Sequence, residues 1–233
     1  MPPKSNLARA AFRRRLARWF ARAGRDLPWR RTRDPYRVIV SEVMLQQTQV
    51  SRVLDYYPAF LERFPSIRHL ARARPRAVRE AWDGLGYYRR AEYLRRMAQQ
   101  VVEQHRGRLP RSSGELLRLP GIGPYTAGAV ACFAYEQAAP AVDTNVARVL
   151  TRVFGTRTRK THRTRKTRPT GDAVLRDLAS KLQPRRGKAA WTFNQALMEL
   201  GALICTARRP RCDRCPVRAD CDWFQSVGFI SPK

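Results

Sequence analysis

Lysine is nearly missing from this chain of 233 residues: it occurs only at 4, 160, 166, 181, 188 and 233, so positions 5 through 159 hold none. A Schiff-base mechanism run by a lysine of that stretch is excluded. Acids are scarce too, with 18 Asp and Glu against 47 Lys and Arg, a net charge of +29. The imbalance points to a polyanionic partner, nucleic acid first, and away from a purely structural role. A GC-rich genome can inflate arginine, yet it does not remove acids, and positive charge on a folded domain attracts phosphates whatever its origin. No apolar run approaches the roughly 18 to 20 residues that span a bilayer. The opening MPPKSNLARAAFRRRLARWF lacks the apolar stretch and cleavage site of a secretion signal. The expectation is a soluble, cytoplasmic protein, nucleoid-associated and monomeric. Strict alternation of apolar and polar residues is also rare, whereas apolar positions recur at helical spacing from residue 7 to about 104, with turn signals at 24–29, 33–36, 64–66 and 74–76. The expected fold class is all-α. With 43% of residues hydrophobic, the chain can build one domain or two small ones.

Five cysteines are present, and four of them fall together as Cys205, Cys212, Cys215 and Cys221 in a C-x6-C-x2-C-x5-C pattern. Four thiolates this close can ligate one ion or one cluster. A disulfide pair is disfavoured inside a cell. Structural zinc usually takes two C-x2-C knuckles and only one exists here, while the proline after Cys215 matches the ending of iron–sulfur ligand runs; a 4Fe–4S cluster is favoured, with zinc as the alternative. Between the first two ligands, TARRPR sets Arg208, Arg209 and Arg211 on a loop pinned at both ends, suited to phosphate contacts. Cys132, in AVACFAY, reads as core. The stretch Thr156 to Thr170 carries seven Arg or Lys and no apolar core residue. It reads as a disordered or loosely ordered basic loop, either a phosphate-holding arm or a tolerated insertion.

ELLRLPGIGPYTAGAVACFA places Leu-Pro-Gly-Ile-Gly between two apolar helical stretches, the pattern of a helix-hairpin-helix. Gly121 and Gly123 are expected to permit positive φ and to bare the backbone N–H groups that open the second helix, where a phosphate can sit, with Pro124 in the first turn. This reads as sequence-independent duplex binding. Glu42 lies in VIVSEVMLQQTQV, whose apolar residues predict a buried helix. On such a helix Glu42, Gln46 and Gln49 share one face, and burial would raise the Glu42 carboxyl and make it a candidate general acid, although on these residues alone a structural, hydrogen-bonded glutamate is the leading reading. Asp143, in PAVDTNVARVLTRVF, reads first as an ordinary N-cap. Two acids in such different settings also suit glycoside cleavage, where one protonates the leaving group and the other faces the cation.

LPWR (27–30), SEVMLQQTQV (41–50), GLGYYRRA (84–91), LPGIGPYTAGAV (119–130), VDTNVARVL (142–150), FNQALMELGALIC (193–205) and the cysteine pattern together resemble the helix-hairpin-helix base-excision DNA glycosylases, specifically the MutY-type adenine glycosylases. The resemblance implies the helix-hairpin-helix DNA glycosylase fold: a six-helix barrel over 29–136 with the hairpin at 114–130, and a second helical domain from 1–28 and 137–225 carrying the cluster loop, followed by a tail, 226–233. It implies that Glu42 protonates adenine N7, that Asp143 stabilises the sugar cation, that Tyr125 supports the intermediate and that Asn145 orients the Asp143 region. Tyr125 stands where bifunctional relatives carry their Schiff-base lysine, so the implied activity is monofunctional and leaves an intact abasic site. Gln195 would face the flipped adenine. Gln47, Thr48, Leu85 and Tyr87 would contact or wedge beside the opposing purine, and Trp29 and Arg30 would line the base pocket. The implied partner is duplex DNA with a mismatch or an oxidised guanine.

The chain ends twelve residues after Cys221, so the Nudix-like C-terminal domain of full-length adenine glycosylases is expected to be absent. Two other readings stand beside this one. A thymine or uracil glycosylase acting on T:G and U:G mismatches also carries the tyrosine and lacks the extra domain, but Gln46, Gln47, Val50 and Gln195 favour adenine. A non-catalytic DNA-binding module of the same fold is disfavoured by the two acids.

Overall fold

The computed structural model describes residues 6–155, 171–185 and 187–227. The basic stretch 156–170 and the end of the tail from residue 228 lie outside the described residues. Among the described residues twelve α-helices follow in order: α1 (Asn6–Ala23), α2 (Pro35–Met44), α3 (Val50–Arg63), α4 (Ile67–Arg72), α5 (Pro75–Ala81), α6 (Arg89–His105), α7 (Ser113–Leu116), α8 (Pro124–Phe133), α9 (Thr144–Phe154), α10 (Gly171–Leu182), α11 (Lys188–Leu203) and α12 (Asp222–Val227). No strand occurs among the described residues, so the fold is all-α. The chain divides into two compact units, Asp26–Ala139 and Met1–Arg25 with Pro140–Lys233.

The first unit holds α2 to α8. α2 begins where it must: the Asp34 side chain accepts from the backbone N–H of Tyr36 at 2.8 Å, and Pro35 follows at the first helical position. It packs against α3, α6 and α8, while α4 lies along α6. That setting leaves α2 dry over most of its length, from Val38 to Met44. Trp82, fully buried, meets Phe60 edge-on at 5.7 Å between centroids. α7 is a single turn, so the hairpin joins one short helix to a long one.

The second unit gathers α1 and α9 to α12. α11 lies between α1 and α9, and α10 and α12 pack on α9. Phe12 anchors the core, edge-on to Phe154 at 5.2 Å and to Phe193 at 6.3 Å. α11 carries three buried polar side chains, Asn194, Gln195 and Glu199. Two of them are satisfied by elements beside the helix. Asn194 Oδ1 accepts from the Ala141 backbone N–H at 3.0 Å. Glu199, with no exposed surface, accepts from the Arg25 backbone N–H at 3.0 Å and from its guanidinium Nε at 2.7 Å and Nη2 at 3.0 Å. A carboxylate so placed is tolerable only with such a partner.

Candidate active site

α2 and α8 pack together and carry the first pair of functional side chains. Glu42 is 4% exposed, and its Oε2 accepts a hydrogen bond from the Tyr125 hydroxyl at 2.7 Å. Tyr125 comes from the first turn of α8, directly after the hairpin, so the loop that would face a phosphate also delivers this phenol. Gln46 Nε2 donates to Thr126 Oγ1 at 3.3 Å, a second tie between the two segments.

The single polar face expected for Glu42, Gln46 and Gln49 does not exist. α2 stops at Met44, Gln47 adopts φ +56°, and Gln49 opens α3 as its N-cap. The end carbonyls of α2 are taken by the Arg90 side chain instead of continuing the helical ladder. The hairpin glycines also divide. Gly121 has φ +74°, and a Cβ there would stand 2.6 Å from Tyr93 Cβ, so both conformation and space require glycine. Gly123 has φ −92° and ψ 175°, not the expected positive φ, because it is the N-cap of α8 and caps adopt extended geometry. A Cβ at Gly123 would meet nothing within 4 Å, which leaves the approach to the first turn of α8 open.

In the other unit, Asp143 is the N-cap of α9 and more. Its Oδ1 accepts from the Val146 backbone N–H at 2.7 Å and its Oδ2 from Asn145 Nδ2 at 3.0 Å. Burial holds the Asp143 carboxyl above the ordinary carboxylate value of 3.8, with these hydrogen bonds and Arg148 pulling against it. Arg148 extends the network: Nη2 donates to Asn145 Oδ1 at 2.8 Å and to the Gly201 carbonyl at 2.7 Å, and Nε to the Cys205 carbonyl at 2.7 Å. Gly201 permits this approach, since a Cβ there would lie 2.7 Å from Asn145 Cβ. The sequence reading passed over Arg148 and Arg152, although Asn145, Arg148 and Arg152 recur at spacings of three and four along one face of α9.

The remaining residues singled out from sequence sort by exposure. Tyr87 is 62% exposed with φ +49°, Gln47 is exposed, and Thr48 is half-buried. Leu85 and Gln195 are buried, as is Trp29, whose ring stands edge-on to Tyr57 at 5.5 Å; Arg30 is half-buried. Arg208, Arg209 and Arg211 are all exposed on a loop closed by the Arg211 backbone N–H donating to the Ile204 carbonyl at 2.9 Å. Arg90 was also passed over. It sits among the arginines of YYRRA with nothing local to mark it, and only the structure shows its reach.

Cys205, Cys212, Cys215 and Cys221 line one pocket, together with Arg152 and Trp223. Among the described residues no three His, Cys, Asp or Glu side chains close on the position of a single ion. Four cysteine thiols lining one pocket, with no histidine or carboxylate among the lining residues, fit a multi-iron cluster, one thiolate per iron. Burial pushes the Cys215 thiol up to about 12 and raises Cys212 as well, with the neighbouring thiols adding to each. Four thiolates gather here only against the positive charge of such a group. Arg152 donates to Cys205 Sγ at 3.4 Å and to the Thr206 carbonyl at 2.7 Å, and its guanidinium lies 4.9 Å from the centre of the Trp223 ring.

A hairpin feeding a tyrosine onto a buried carboxyl, an acid capping a second helix, and a four-thiol pocket define an all-helical helix-hairpin-helix protein with an iron–sulfur segment. Residues 40–184 match the model of the HhH-GPD superfamily base excision DNA repair proteins, and residues 205–221 that of the iron-sulfur binding domain of endonuclease III. The chain belongs to the HhH-GPD superfamily, and its segment 205–221, which holds the four clustered cysteines, is an iron–sulfur binding segment in place of the zinc alternative. It is 45% identical over 231 residues to the adenine DNA glycosylase of Rattus norvegicus, across 94% of this chain and 42% of that protein. With the adenine DNA glycosylase of Mycolicibacterium smegmatis the identity is 47% over 219 residues, across 92% of this chain and 69% of that one. A solved thermostable thymine-DNA glycosylase superposes with a TM-score of 0.83 at 31% identity, covering 95% of this chain and 98% of the other. The chain thus spans 42% of the rat relative's length. No described helix is long and apolar enough to cross a membrane.

Proposed function

We propose that the chain is a monofunctional adenine DNA glycosylase of base excision repair, hydrolysing the N-glycosidic bond of adenine opposite 8-oxoguanine or guanine in duplex DNA. The observation that carries this reading is the 2.7 Å hydrogen bond from Tyr125 to the buried Glu42 carboxyl. It sets a phenol against a carboxyl that is 4% exposed, and burial of this kind favours the protonated form that a general acid needs.

In this mechanism Glu42 gives its proton to adenine N7. The C1′–N9 bond then breaks, its electron pair leaves with the base, and the Asp143 carboxylate faces the cation at C1′. Asn145 and Arg148 hold that carboxylate in place. Water adds to C1′ and its proton returns to Glu42, leaving an abasic site with both strands intact. Gln195 would read the base edge, and Trp29 and Arg30 would contact the base. Gln47, Thr48, Leu85 and Tyr87 would stand at the opposing purine. Gly121 and Gly123 would admit a phosphate to the first turn of α8. When bound, the cluster supplies the positive charge that gathers the four thiolates, and Cys205 and Cys212 would pin the loop of Arg208, Arg209 and Arg211 against DNA.

A second reading, removal of thymine or uracil opposite guanine, draws support from the near full-length similarity to a thymine-DNA glycosylase. Single-turnover assays on duplexes carrying A:8-oxoguanine, A:G, T:G and U:G, each with and without hot alkali, separate the two. Alkali-dependent cleavage at adenine is expected; cleavage at T or U instead would replace the adenine assignment. Glu42→Gln is expected to keep duplex binding and lose base release by at least about 100-fold. Unchanged release would remove Glu42 from the mechanism.

A further inference from the structure

Arg90, in the first turn of α6, reaches two loops at once. Its Nη1 donates to the carbonyl oxygens of Val43 at 3.0 Å and Met44 at 2.8 Å, at the end of α2, and to that of Gln46. Its Nη2 donates to Thr48 Oγ1 at 3.0 Å and, on the other loop, to the carbonyls of Leu85 at 3.2 Å and Gly86 at 3.1 Å. The guanidinium also lies 5.5 Å from the ring centres of both Trp82 and Tyr87. The four Nη hydrogens of this planar fork reach six acceptors by sharing, and arginine keeps its charge even though burial lowers its basicity here.

Each of the two loops contains one non-glycine residue in the left-handed region, Gln47 at φ +56° and Tyr87 at φ +49°. Both sit beside residues that Arg90 holds: Gln46 and Thr48 flank the first, and Gly86 precedes the second. Left-handed conformations of such side chains persist only where the surroundings over-determine them. Glu42, by contrast, is held by the ladder of α2 and by Tyr125, and neither bond involves Arg90.

We propose that Arg90 is a positioning residue that fixes Gln47 and Tyr87 in place and thereby sets the preference for the base opposite the excised one. This rests on the glycosylase reading above. Lysine cannot replace it, because one nitrogen on a flexible stem cannot bridge both loops.

The test compares the purified wild-type chain with Arg90→Lys and Arg90→Gln. Fluorescence anisotropy gives dissociation constants for duplexes holding an uncleavable tetrahydrofuran abasic analogue opposite 8-oxoguanine, guanine or cytosine. Single-turnover base release is then measured at saturating protein. The wild type is expected to favour a purine opposite the analogue, and the variants to shrink the purine-to-cytosine affinity ratio by about tenfold or more. The saturating rate constant on the best duplex should stay within about threefold. A ratio preserved in both variants, a wild type without preference, or a parallel loss on every duplex would overturn the proposal. So would the failure of both variants to fold, which would make Arg90 a purely structural residue. A wild type that releases no base yet shows the binding preference defeats the glycosylase reading alone, because the binding ratio is still readable in the variants.

Discussion

Asp143 holds two roles in one side chain, and substitution can separate them. Alanine removes the cap: the Val146 N–H loses its 2.7 Å acceptor and Asn145 Nδ2 its 3.0 Å acceptor. The loss of an N-cap costs about 0.5 to 2 kcal/mol. Asparagine keeps an oxygen for Val146 and is itself a good cap, but its amide nitrogen would face the Asn145 amide nitrogen. Turning Asn145 over to compensate would take its Oδ1 from Arg148, so one hydrogen bond is lost, worth about 1 kcal/mol. Against that stands the relief of an unfavourably buried charge, since desolvation is the main cause raising the Asp143 carboxyl. The expected order of melting temperature is therefore wild type and Asp143→Asn close together, with Asp143→Ala lower by about 1 to 8 °C, taking about 2 to 4 °C per kcal/mol for a chain of this size. Both variants lack the negative charge, and both should lose base release by about 100- to 1,000-fold, the range for removing one stabilising group from a developing charge. Calorimetric or fluorescence melts and single-turnover assays on A:8-oxoguanine duplexes give the two readouts. The pH dependence adds a third. Because the folded value lies above the unfolded one, the folded state holds the extra proton. The stability contribution is full below 3.8 and is lost as pH rises through the folded value. Asp143→Asn should lack that dependence. If Asp143→Asn cleaves within about tenfold of the wild type, the carboxylate is only a cap and its role at the cation is refuted.

Tyr125→Phe removes the donor to Glu42 while keeping the ring, and base release should fall by about tenfold with duplex affinity unchanged; equal rates would detach the hydroxyl from the chemistry. Arg25→Met takes the guanidinium from the fully buried Glu199 carboxylate but keeps the backbone N–H bond of residue 25, and urea unfolding should show a loss of about 3 kcal/mol, the lower part of the range because that bond remains and Arg25 is itself 36% exposed. Restoring stability by adding Glu199→Gln would confirm the uncompensated buried charge as the cause, and no recovery would reject it. Cys212→Ser should bleach the absorbance near about 400 nm expected of an iron–sulfur protein. The loss should also weaken duplex affinity and flatten its salt dependence, since the loop of exposed arginines loses one pinned end; a coloured variant with full affinity would count against that ligand set.

Much of the molecule is local, and local features are legible in a sequence. The helical class followed from apolar spacing, and the breaks at 24–29, 33–36 and 64–66 correspond to the ends of α1, the start of α2 and the gap between α3 and α4. Asp143 could be read as a cap because an N-cap needs only its own side chain and the next three residues, and the Pro124 start of α8 likewise needs no partner. The cysteine spacing marked a cluster loop because its ligands lie within 17 residues of one another. Where reading failed, a distant side chain decided. Helical periodicity carried α2 onward through Gln46 and Gln49, but Arg90, more than forty residues later, takes the carbonyls that would have continued it. Gly123 looked like Gly121, yet the first must be extended to cap α8, while the second turns left-handed under Tyr93. The bond from Tyr125 to Glu42 spans 83 positions and the one from Arg25 to Glu199 spans 174. The residue types and their local geometry were thus determined by the sequence alone. Which of those groups meet, and so which acid has a phenol and which has a guanidinium, was decided only by the packing of helices far apart in the chain, because no short-range propensity encodes a contact between them.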